Sequence, residues 1–177
     1  MLRNEHVVLG IVGHSGAGKT TLLSALLPML RLRGIRTAVI KHTHPDFEID
    51  YPGKDSQILR HAGASQVLLV SSGRWALIAE AETETIRPLD FWLDRLPPDA
   101  QDLVLIEGLK TAVIPKLEVH RPELGKPLLC AGDPLIHAVA SSDTALVLPR
   151  QLRCFDLSDY SAILHWVLSY TGLELND

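Results

Sequence analysis

Short apolar runs alternate with polar breaks marked by glycine or proline, and the period within each run separates strands from helices. The first run, Val7, Val8, Leu9, Gly10, Ile11 and Val12, is almost continuously apolar, as expected of a strand buried on both faces. Leu22, Leu23, Leu26, Leu27 and Leu30 recur at helical spacing, which predicts a helix that Pro28 interrupts and Gly34 ends. Residues 36–40 read as a short buried strand, and the strand–helix–strand opening is long enough for a right-handed parallel crossover. Residues 41–56 are polar and without period, and Pro45, Pro52 and Gly53 mark them as loop.

Further along, a short helix over 56–61 stops before Gly63. Residues 66–70 and 75–79 are apolar runs separated by Ser71, Ser72, Gly73 and Arg74, a spacing that predicts an antiparallel hairpin at the edge of an otherwise parallel sheet. Residues 89–96 look helical and halt at Pro97 and Pro98. Leu103, Val104, Leu105 and Ile106 are four aliphatics in a row, the mark of a central strand, and Glu107 stands at its carboxyl end. Residues 116–120 alternate as another strand, and residues 135–140 add one more. A last helix over 158–170 carries the stripe Tyr160, Ile163, Leu164, Val167 and Leu168, and Gly172 closes it. The order predicts a three-layer α/β fold with a mostly parallel sheet and an antiparallel edge hairpin. No repeat or linker divides residues 1–177, so one domain is expected.

Composition narrows the function classes. Hydrophobic residues are 46% and charged residues 21%, so the 177 residues can bury an ordinary core. A net charge of −4 argues against a nucleic-acid partner, and no apolar run is long enough for a membrane span. The first six residues lack a signal-peptide pattern, and Cys130 and Cys154 lack Cys-x-x-Cys spacing, so a cytoplasmic protein with free thiols is expected.

One stretch carries chemistry outright. Gly13, His14, Ser15, Gly16, Ala17, Gly18, Lys19 and Thr20 match Gly-x-x-x-x-Gly-Lys-Ser/Thr, with a strand before and a helix after. Such a loop turns backbone N–H groups toward phosphate oxygens and adds the positive end of a helix dipole. Here Lys19 supplies a cation for the outer phosphates, and the Thr20 hydroxyl is placed for Mg²⁺. The expected fold is therefore that of a P-loop NTPase. Glu107, ending a buried strand, is a candidate to hold Mg²⁺ directly or through water, or to orient an attacking water, and Gly108 would let backbone approach the γ-phosphate.

Other candidates are less constrained. Lys41 ends the second strand on the same side, where it meets phosphate or a second substrate, or is simply solvated. Asp46, Asp50 and Asp55 are Mg²⁺ candidates in the polar loop, with Asp50 favoured; His42 and His44 suit anion or substrate contacts better than a metal. Asp143 follows a late strand, where an aspartate either accepts from guanine's N1–H and 2-amino group or caps a loop.

The phosphate loop, Ile40 to His44 with Pro52 to Ser56, the turn Arg60 to Ala64, Arg74 to Leu77, and Leu105 to Lys110 together resemble the molybdopterin-guanine dinucleotide biosynthesis adapter proteins, the MobB family. The likeness reaches about Asp143, and the Lys-His-Thr-His and Pro-Gly-Lys-Asp-Ser segments carry it. The resemblance implies a GTP-binding protein with weak GTPase activity, working beside a molybdenum cofactor guanylyltransferase that attaches GMP to molybdopterin, with molybdopterin itself a possible ligand. It implies a homodimer with a sheet extended by strand exchange or edge pairing. Residues from Gly13 to Thr21 would bind GTP phosphates, Thr20 and Glu107 would serve Mg²⁺, and residues 41–55 would face nucleotide or partner. Two departures stand out: His14 replaces the additional loop lysine of some dimeric relatives, and nothing from Leu146 onward matches a motif. A small-molecule kinase, a nickel-type metallochaperone GTPase and a non-hydrolysing scaffold are the alternatives. A kinase needs an arginine-rich lid that this chain does not display.

Overall fold

The computed structural model describes residues 2–3, 5–43, 50, 53–80 and 87–173. In chain order its elements are β1 (Leu2–Arg3), β2 (His6–Val12), α1 (Lys19–Leu32), β3 (Thr37–Lys41), α2 (Asp55–His61), β4 (Gln66–Val70) and β5 (Trp75–Ala79). Then follow α3 (Leu89–Leu93), β6 (Leu103–Glu107), β7 (Lys116–His120), β8 (Ile136–Ser141), β9 (Arg153–Asp156) and α4 (Tyr160–Thr171), with short 3₁₀ turns between some of them. The chain divides into two compact units, residues 1–42 with 89–177, and residues 43–88.

In the first unit the uninterrupted apolar runs become a parallel sheet ordered β3-β6-β2-β7-β8-β9, with β1 antiparallel against β2. The crossover through α1 carries the chain from β2 past β6 to β3, while β7 lies on the other side of β2. The sheet order therefore reverses at β2, where an α/β sheet opens a crevice at the carboxyl ends of its strands. Alternate residues of β2 serve opposite layers. Leu9 and Ile11 pack with Leu22, Leu26 and Leu30 of α1 and Ile163, Leu164 and Val167 of α4. Val8 packs on the other side with Leu89 and Leu93 of α3, and Val12 with Cys130, Ile136 and Val139. Each fully buried leucine of α1 contributes about 2 kcal/mol by leaving water.

Helix ends follow from local hydrogen bonds. The N–H of Gly34 donates to the Arg31 carbonyl and that of Ile35 to the Leu30 carbonyl, which closes α1. α1 runs through Pro28 unbroken, because the buried leucine stripe on either side holds it against the sheet. The Asp159 carboxylate accepts the Ala162 N–H at 2.9 Å and so starts α4 two residues into the expected segment. α3 is shorter than expected and stops at Leu93, ahead of the two prolines.

Two strands lie outside the periodicity reading. β1 has two residues, and β9 is the mixed sequence Arg-Cys-Phe-Asp with Phe155 its buried residue. The alternation in β7 also has a different meaning from a half-solvated strand, since all five of its residues are buried. Its polar face is covered by residues 129–135. Glu118, fully buried, accepts the N–H groups of Leu129 and Cys130 at 2.8 Å each, and Lys116 pairs with Asp133 at 2.8 Å.

In the second unit, β4 and β5 pair in register as the expected hairpin, with Leu68 opposite Leu77 and Val70 opposite Trp75. Among the described residues they form a two-stranded sheet of their own, instead of an edge of the parallel sheet. The edges of that sheet are β3 and β9. α2 starts beside Asp50, whose carboxylate accepts from the Ser56 hydroxyl at 3.0 Å and pairs with Arg60 at 3.3 Å; Arg60 also meets Glu80.

Candidate functional site

Every strand of the parallel sheet delivers a polar group to the same edge, because parallel strands end together. Gly13 follows β2, Lys41 and Glu107 are the last residues of β3 and β6, Arg121 follows β7, and Ser142 follows β8. Gly13 has φ +151°, and a Cβ there would stand 2.3 Å from the Val119 carbonyl oxygen, so only glycine lets the loop turn against β7. Gly108 has φ +98° and lies against the His42 carbonyl, and the His42 N–H in turn donates to Glu107's carbonyl at 2.9 Å.

α1 begins with no side-chain cap and no acid in its first turn. The N–H groups of Gly16, Gly18, Lys19 and Thr20 find no acceptor among the described residues, which leaves a cluster of donors at the positive end of the helix. Lys19 folds over this cluster, its ammonium donating to the carbonyls of Gly13 at 3.1 Å and His14 at 2.9 Å. Burial lowers the Lys19 pKa, Glu107 acts in the opposite sense, and Lys110 and Lys41 lower it further. Lys19 and Lys41 thus lie about one carboxylate, and Lys110 adds its charge beside Lys19, an electrostatic arrangement suited to a polyanion. Arg121 ties the loop from the far side through Nε to the Ala17 carbonyl at 3.1 Å, and His14 contacts the Pro127 carbonyl at 3.0 Å.

Two of the expected Mg²⁺ residues meet. The Thr20 hydroxyl donates to Glu107 Oε1 at 2.7 Å, and Glu107 is buried to within 6% exposure. Lys41 Nζ lies 3.3 Å from the same hydroxyl and 3.4 Å from the same carboxylate oxygen. A hydroxyl beside a carboxylate is a hard oxygen donor set, the chemistry Mg²⁺ takes together with phosphate oxygens. Thr21 and Ser15 complete the loop, both exposed.

The other expected residues have their own settings. Asp50 belongs to the second unit, where Ser56 and Arg60 engage it. Asp143 caps its own turn, accepting the Ala145 N–H at 2.9 Å. His44 and Asp46 lie outside the described residues, and among the described residues no group of three or more His, Cys, Asp and Glu could hold a metal. The thiols are free, and burial pushes Cys130 up to about 11.

Beside the loop opens a cavity of about 320 Å³. Gly18, Thr21 and Leu22 form its α1 side, and Arg121 and Ser142 come from the ends of β7 and β8. Asp156, Leu157, Ser158 and Tyr160, between β9 and α4, close it. Arg121, Asp156 and Ser158 are absent from the sequence-based candidates. Arg121 was accessible to the strand-end rule that singles out Lys41 and Glu107; Asp156 was not, because β9 has no periodic signal.

Residues 8–142 match the family model described as "Molybdopterin guanine dinucleotide synthesis protein B", or MobB. The chain belongs to the MobB family. A MobB-family relative from Escherichia coli, named molybdopterin-guanine dinucleotide biosynthesis adapter protein, is 41% identical over 92% of this chain and 92% of its own length. One of the same name from Haemophilus influenzae is 46% identical over 72% of this chain and 70% of its own. Among solved structures, a molybdopterin-guanine biosynthesis protein B superposes with TM-score 0.72 at 29% identity, covering 93% of this chain and 99% of that one. The MobB homolog from Bacillus stearothermophilus has the same fold, at TM-score 0.69, 23% identity and coverage of 95% and 99%. The family match thus spans the phosphate loop, Lys41, Glu107 and Arg121, and ends before β9 and α4. No helix among the described residues is long and apolar enough to cross a membrane.

Proposed function

We propose that this MobB-family chain is a GTP-binding adapter in molybdopterin guanine dinucleotide biosynthesis, with weak GTPase activity, acting beside the guanylyltransferase that attaches GMP to molybdopterin. One observation carries the reading: uncapped amides at the start of α1, the Lys19 ammonium and the Thr20–Glu107 pair converge at the carboxyl edge of the sheet. These are the parts that position a nucleoside triphosphate. Thr20 and Glu107 would hold Mg²⁺, which supplies charge neutralisation between the phosphates. Lys19, Lys41 and Lys110 balance the anion, and Glu107 orients the water.

The hairpin supports a homodimer. Leu68, Val70, Trp75 and Leu77 share one face of β4–β5 and are 57%, 74%, 65% and 49% exposed, while Val67 and Ile78 on the other face are buried. An isolated two-stranded sheet is marginal, and a second copy would cover this apolar face.

Nucleotide titration in the presence of Mg²⁺ tests the binding half, with GTP expected to bind and hydrolyse slowly. Retention from native extract, with and without GTP, tests the adapter half: recovery of a molybdenum cofactor guanylyltransferase supports it. Rapid turnover of ATP with a small-molecule acceptor would replace this function with a kinase.

A further inference from the structure

We propose that the cavity beside the phosphate loop is the base-reading half of the site, and that Asp156 selects guanine over adenine; this rests on the triphosphate binding proposed above. Position is the first reason. The cavity shares Gly18 and Thr21 with the loop, so a nucleoside attached to the innermost phosphate enters it directly. Size is the second, since about 320 Å³ falls in the range of small-molecule sites, which run from about 300 to 1,000 Å³. Leu22 and Leu157 form part of the cavity's apolar wall.

The chemistry of the lining decides the base. Asp156 Oδ1 accepts both the Ser158 N–H at 2.8 Å and the Ser158 hydroxyl at 2.6 Å, which fixes the carboxylate. These bonds also hold its pKa below the ordinary value, so the group is an acceptor only at neutral pH. Among the described residues no protein donor takes Oδ2. Arg121 is a donor only, and it is anchored to the Ala17 carbonyl with Nη2 near Gly18. Guanine offers donors along N1–H and its 2-amino group, and acceptors at O6 and N7, the pair that arginine reads well. Adenine turns a bare N1 lone pair toward a carboxylate in that place, which repels it. Asp143, for which a guanine contact was one of two sequence readings, lies outside this lining.

Binding of GTP, ITP, XTP and ATP with Mg²⁺ to the full chain and to Asp156→Asn tests the assignment. The wild-type protein should bind GTP about ten-fold or more tighter than ATP, with ITP, which lacks the 2-amino group, in between. Asp156→Asn should lose about ten-fold or more for GTP and gain affinity for XTP, whose 2-oxo group the new amide can donate to. Equal affinity of the wild-type protein for GTP, ITP and ATP overturns the proposal without needing a variant that folds. So does a folded Asp156→Asn protein with wild-type GTP affinity. Inorganic tripolyphosphate separates the two levels. If the wild-type protein binds it and GTP gains nothing over it, the base assignment alone falls; if it binds neither, the function proposed above falls as well.

Discussion

Lys19 and Glu107 show how little separates binding from chemistry at this site. The Lys19 ammonium is held over the loop by two carbonyls, so it is placed for phosphate before it is needed. Lys19→Ala should weaken triphosphate affinity by about ten-fold or more, the strength of a charge-assisted contact, while the thermal transition stays put; calorimetric titration measures the first and a melting curve the second. Glu107→Gln keeps the shape but removes the charge beside Thr20, so GTP binding should largely survive while Mg²⁺-dependent phosphate release falls. Hydrolysis at the wild-type rate would remove Glu107 from the mechanism. At this scale the sequence was most readable where backbone and chemistry share one motif. The loop, Lys19, Thr20 and Glu107 are brought together as their spacing and strand-end position suggest. Asp143 is not, because its carboxylate finds a nearer partner in the Ala145 amide of its own turn.

Among the elements, β7 departs furthest from its pattern. Lys116, Glu118 and His120 alternate with Leu117 and Val119 as if facing water, yet all are buried, because residues 129–135 fold across that face. Periodicity reports the spacing of apolar residues but not what covers the polar ones, and β9 was invisible for the related reason that four residues are too few to show a period. The cover depends on Lys116–Asp133. Burial by itself would push the Asp133 carboxyl up, but the Lys116 hydrogen bond and the Leu135 N–H leave it below its ordinary value. The pair's stabilisation is therefore complete above the unfolded carboxyl pKa, about 4, and is lost as pH falls through the lower folded value. Asp133→Asn should flatten that acid limb of stability and cost about 3 kcal/mol at neutral pH, since it leaves Lys116, 2% exposed, without its counter-ion. Urea unfolding across pH 3–7 reads both.

For the whole molecule, the α/β order and parallel sheet were legible from run lengths, whereas the hairpin's separate pairing was not, since alternation says which residues share a face and not which edge a strand joins. If the exposed face of β4–β5 joins two copies, Leu77→Lys should convert a particle of twice 19.5 kDa into one of 19.5 kDa by light scattering, with little change in the folded single chain. A wild-type mass of one chain would remove the dimer.

The contact between Gly13 and the Val119 carbonyl bears on how a ligand is received. It stitches the start of the loop to a strand in the middle of the sheet, so the curl of main chain is imposed by the scaffold beneath it. A guest meets a receptor that is already in shape, and little of the attraction is diverted into organising it. Any side chain at residue 13 would have to pry that stitch open, altering the mould and the sheet together.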